Sequence, residues 1–125
     1  MRISDVRDAL LTVLPGMVFH FHAPGSVVDG KAAYAVWGET SLGSASADDG
    51  FAEWAPAGII YFYTQVEYDA RLDALILALE AAGIAVSPGR IGYDERTEMT
   101  AYEIGWAVDC GPGELYAEPE ADGDE

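Results

Sequence analysis

The chain is poor in the residues on which most catalysis and nucleic-acid binding depend. Of 125 residues, one is cysteine, two are histidine and six are basic. A lone cysteine, Cys110, cannot form an internal disulfide, so the fold does not depend on an oxidising compartment. It reads as a small residue near the end of a strand. Two histidines outside any motif leave no nucleophile–histidine–acid arrangement of the kind that covalent catalysis needs. Six bases against 22 acids give a net charge of −16, a field that repels phosphate backbones and anionic lipid. No run approaches the roughly 18 to 20 apolar residues of a membrane span. Met1-Arg2-Ile3-Ser4-Asp5 leads to Arg7 and Asp8 rather than to the apolar core of a signal peptide, so synthesis in the cytosol is expected. Glycines spaced to cradle a phosphate between strand and helix are also missing, as are internal repeats.

What is present is apolar and aromatic. Half of the residues are hydrophobic, with three Trp, seven Tyr and four Phe, enough for a core without metals or disulfides. The length suits one domain, expected over 1–110. Residues 111–125, with Glu114, Glu118, Glu120, Asp122, Asp124 and Glu125, read as an acidic, disordered tail and leave −10 for the body.

Val6, Ala9, Leu10, Val13 and Leu14 recur at helical spacing, with Ser4 placed to cap and Pro15-Gly16 to stop the helix. Met17 to His22 alternates as a strand, and a loop rich in Gly, Ser and Asp leads to a second strand over 33–38. Residues 39–50 are small, polar and aperiodic, which predicts a long mobile loop, either a binding element or plain slack. Residues 51–64 read as a strand interrupted at Pro56 and Gly58, needing a bulge or an edge position. Its run Ile59-Ile60-Tyr61-Phe62-Tyr63 is apolar on both faces, as for a central strand covered by helices on one side and by a neighbouring subunit on the other.

Leu72, Leu75, Ile76, Leu79 and Ala82 line one face of a second helix, capped by Thr64 or Asp69 and closed by Gly83, with Leu77 off the stripe. Two further strands follow: one from Ile84, broken at Pro88-Gly89, and one alternating through Tyr102, Ile104, Trp106 and Val108. The expected fold class is α+β, a two-layer sandwich of a mostly antiparallel sheet of four to five strands packed by two helices. The order is α-β-β-β-α-β-β.

The few candidates for chemistry point away from it. His20 and His22 lie two apart on a predicted strand, a spacing that suits two zinc ligands, but His-x-His alone is unspecific and reads as exposed or interface histidine. The pairs Asp48–Asp49, Asp94–Glu95 and Glu118–Glu120 fall in predicted loops and the tail, where water equalises their acidities. No catalytic, cofactor-binding or metal-binding residue is assigned. The aromatics are interleaved with neutral and acidic residues, which suits a core or a subunit interface. Interface candidates are Trp37, Leu42, Asp48, Asp49, Phe51, Trp54, Tyr61 and Tyr63.

The order of pieces is similar to that of the tail-terminator and minor tail proteins of long-tailed bacteriophages. The resemblance covers residues 3 to 110. It is carried by the N-terminal helix, Ala-Tyr-Ala-Val-Trp-Gly-Glu (33–39), Ala-Asp-Asp (47–49) and Ile-Tyr-Phe-Tyr-Thr (60–64). Glu67-Tyr68-Asp69 leads into a helix ending in Ala-Gly-Ile (82–84), followed by Tyr-Asp-Glu (93–95) and Tyr-x-Ile-x-Trp-x-Val (102–108). The chain departs from the usual pattern at Ala33, where proline is common, and at Gln65, where lysine is usual. The resemblance implies a non-enzymatic virion protein of the head–tail junction, made in the bacterial cytoplasm, with no cofactor. Such a protein forms a ring, typically a hexamer, on the tail tube protein, ends tube growth and meets a head–tail connector or stopper protein. Double-stranded DNA passes through its lumen without specific binding. Another head–tail component, such as a stopper or completion protein, and a small binding module unrelated to phage remain the alternatives.

Overall fold

The computed structural model describes residues 1–45, 52–111 and 113–116. The elements are α1 (Ser4–Leu11), β1 (Val18–His20), α2 (Gly25–Asp29), β2 (Tyr34–Ala45), β3 (Ala52–Thr64), α3 (Arg71–Ala81), β4 (Ala85–Asp94) and β5 (Met99–Ala107). One five-stranded sheet, in the order β1-β2-β3-β5-β4, makes an α+β fold as expected. Three of its pairings are antiparallel, and β1 runs parallel to β2.

The sheet is thus mostly antiparallel, as expected, and the loop after the first strand accounts for the one parallel pair. Residues 21–33 are not a simple turn but a crossover containing α2, and a crossover returns the chain in its original direction. Five residues of helix behind Pro24 are too few to leave a periodic signal.

Residues 39–50 also differ from the expected loop. Residues 39–45 continue β2 and pair with β3 out to Ala45↔Ala52, while 46–50 lie outside the described residues. Backbone pairing holds this arm, so its small polar side chains gave no hydrophobic alternation to read. Pro56 sits in a central strand, fully buried, and β2 shifts register opposite it, between Glu39 and Ser41 and between Ser41 and Gly43. Its carbonyl still accepts from Val108 N–H at 2.9 Å, so the irregularity absorbs the missing donor.

The core lies between one sheet face and the two longer helices. Val6, Ala9 and Leu10 of α1 and Leu75 and Leu79 of α3 meet Ala35, Trp37, Ile60, Phe62, Ile104 and Trp106. Ala82, expected on the buried stripe, is exposed, and Leu77 is 64 % exposed. Ser4 does not cap α1; instead Asp5 Oδ2 accepts from Arg2 N–H at 2.9 Å. At α3, Asp69 does cap: its Oδ1 accepts from Arg71 N–H at 3.0 Å. Gly83, at φ 84°, closes α3, with Ile84 N–H donating to Leu79 O and Gly83 N–H to Glu80 O, both at 3.0 Å. Only glycine adopts that conformation without strain.

Candidate functional site

Alternation along the strands decides which side chains face away from the helices. Registers Phe19↔Val36↔Tyr61↔Glu103 and Tyr34↔Tyr63↔Ala101 place these residues on the second face of the sheet, joined by Ile59, Ala57, Gly105 and Ala107. Period-two geometry does this automatically once Ile60 and Phe62 are committed to the core. α1 and α3 both lie on the other side. Val36, Ile59 and Tyr63 are only partly buried and Tyr61 is 36 % exposed, although they belong to the inner strands.

The aromatics of this face form a connected group. Tyr34 stacks on Tyr63 with ring centroids 4.7 Å apart, Phe19 meets Tyr34 edge-on at 6.4 Å, and Tyr61 tilts against Tyr63 at 6.3 Å. Burial pushes the phenols of Tyr34 and Tyr63 above their usual acidity range, and the nearby Asp94 adds to it. At one end Phe21, 61 % exposed, lies over Gly38, where a Cβ would stand 2.6 Å from its ring. Phe21 takes a positive φ as β1 ends. A shallow cavity between Phe21, Val36, Gly38, Ile59 and Tyr61 opens on this face. Glu103, opposite Tyr61, is a charged residue that the register places here. An apolar, aromatic patch on a chain of −16 suits burial against another protein.

The structure divides the interface candidates. Tyr61 and Tyr63 lie on this face. Trp37 lies in the core of the subunit, edge-on to Trp106 at 6.0 Å, and Trp54 packs against the same core. Leu42, 42 % exposed, sits on the extended β2 arm. Asp48, Asp49 and Phe51 lie outside the described residues.

A polar cluster that sequence reading missed sits at the β1 edge. Glu39, whose side chain is 7 % exposed, accepts from His20 Nε2–H at 2.6 Å through Oε1 and from the Tyr116 hydroxyl through Oε2. Burial works to raise the Glu39 carboxyl, but these hydrogen bonds outweigh it and hold it below its usual range. The bond to Glu39, with burial, pushes Tyr116 up to about 12. Both carboxylate oxygens are occupied, so the cluster fastens the chain at Tyr116 rather than facing an open cleft. Separations of 19 and 77 residues left no local signal.

His22 lies beyond the end of β1, so the two histidines do not share a strand face. Among the described residues no three His, Cys, Asp or Glu side chains gather as a metal site. Cys110 is buried, and burial pushes its thiol up.

No family model matches the chain, and no curated protein matches it. Among solved structures it is similar to a chain of the virion of a native gene transfer agent particle, at 17 % identity and a TM-score of 0.57. The match covers 83 % of this chain and 90 % of that one, so the two share a fold across nearly their whole lengths.

Proposed function

We propose that this protein is a structural subunit of a phage-like virion. It forms a ring, of six copies by resemblance, that caps the tail tube at the head–tail junction. The observation that carries the reading is the fold shared with a gene transfer agent virion chain over 83 % of this sequence. The aromatic face, partly exposed at Val36, Ile59, Tyr61 and Tyr63, supports it, because a ring needs two different patches on each subunit that close after a rotation. That face is one patch, and the β2–β3 arm bearing Leu42 is the other. The acidic balance suits a passage for DNA, since like charge keeps phosphates from adhering. In this role the protein performs no catalysis and needs no cofactor; it works through the tube protein on one side and the connector on the other.

The test is negative-stain imaging of the protein alone and mixed with a tail tube protein of the same particle. Rings seated on tube ends, with tubes of uniform length, are the expected result. Copies that ignore tube ends while binding a head-side connector would move the protein to a stopper role. Normal virions assembled without the protein would remove it from the tail altogether.

A further inference from the structure

The sheet ends at β4, whose outer edge has no partner strand among the described residues. Open edges of this kind readily pair with another chain. Pro88 and the register shift between Pro88 and Ile91 blunt the first half of the strand. The second half, Arg90-Ile91-Gly92-Tyr93-Asp94, has no proline, is exposed throughout, and carries Ile91 at 71 % and Tyr93 at 63 % exposure. Such exposure of two large apolar side chains on an unpaired edge marks a surface that another chain covers.

The segment is complementary to itself. Laid antiparallel against a second copy and centred on Gly92, Arg90 stands opposite the second copy's Asp94, Ile91 opposite its Tyr93, and Gly92 opposite its equal. Each half thus presents an opposite-charge pair and a β-branched–aromatic pair, the two cross-strand combinations that stabilise antiparallel sheets. The register also sets residues of like parity against each other, so outward-turned backbone groups meet outward-turned groups. Ile91 shares the helix-side face with its partner Tyr102 and borders an apolar groove of about 370 Å3 that includes Leu72, Ile76 and Val86. Two joined edges would carry this groove across the two-fold axis.

Charge favours the same place. Residues 90–94 hold one base, Arg90, and one acid, Asp94, so the segment is neutral in a chain of −16. Among the described residues the Arg90 side chain has no ion pair. Like-charge repulsion between copies is therefore low at this edge.

We infer that the free protein forms a two-fold dimer through residues 90–94 of β4, joining two sheets into one of ten strands. The contact runs along the strand edge, beside the aromatic face, and does not rest on the virion reading. Sedimentation velocity over a concentration series to about 100 µM tests it. A dimer of twice 13.3 kDa is expected, weakened about tenfold or more by Arg90→Asp, which sets like charges opposite each other. Gly92→Lys should act likewise; a Cβ at Gly92 meets nothing within 4 Å in the single subunit, so the fold is unaffected. Gly92→Cys should cross-link the two copies under mild oxidation, because paired positions stand within disulfide reach. A monomer throughout the series with no Gly92→Cys cross-link overturns the inference. A dimer indifferent to both Arg90→Asp and Gly92→Lys overturns it equally.

Discussion

Gly58 lets β3 pass between β2 and an indole. A Cβ there would stand 1.9 Å from Gly38 O and 2.7 Å from Trp106 Cζ2, and neither the backbone carbonyl nor the buried ring can retreat. Gly58→Ala is expected to cost about 3 kcal/mol, read as a lower urea midpoint, the range for overfilling a close-packed site. Asp69 makes a different kind of contribution. Hydrogen bonds from Arg71 chiefly, and from Thr64, outweigh burial and lower its carboxyl to about 2. A depressed carboxyl stabilises the fold fully above the unfolded value near 4, and the gain disappears as pH falls through the folded value. With Arg71 41 % exposed, solvent screening reduces this to about 1–2 kcal/mol. Urea unfolding between pH 4.5 and about 2 should therefore show an acid-side loss in the native protein that is flattened in Asp69→Asn. An unchanged acid limb would mean that the pair contributes nothing.

At the level of elements, α3 separates burial from mere hydrophobicity. Leu79 is fully buried and Leu77 is 64 % exposed on the same helix. Leu79→Ala should cost about 3 kcal/mol, whereas Leu77→Lys should stay within about 0.5 kcal/mol, both measured by chemical denaturation. This element was legible because leucines at helical spacing and a glycine at the stop position agree. β5 was legible for the corresponding reason, since Tyr102, Ile104, Trp106 and Val108 alternate without interruption. α2 and the outer part of β2 were not. A five-residue helix is set by its crossover, and residues 39–45 are strand because β3 pairs with them, not because Thr, Ser and Gly prefer it. Nor was the Glu39 cluster legible, since tertiary folding alone brings Tyr116 to β2.

For the whole molecule, charge and the aromatic face act in opposite directions. Subunits of −16 repel one another over a Debye length, while Phe19, Val36, Ile59, Tyr61 and Tyr63 gain by leaving water. Assembly on tube ends should therefore strengthen as salt rises from about 0.05 to 0.5 M, followed by sedimentation or imaging. Assembly held together mainly by ion pairs would weaken instead. Tyr61→Lys should leave the subunit folded by circular dichroism and yet abolish ring formation, since its side chain is already partly in water. Retention of rings in that variant would move the contact off this face.

The amino-acid order alone determined the α+β class, the two longer helices and the best alternating strand, because each rests on local periodicity. Which face stays open, where Trp37 lies, how Glu39 is clamped and which strand forms the edge were decided only in three dimensions. Those properties depend on pairing partners distant along the chain, and a strand's own residues do not specify which neighbour will satisfy its backbone.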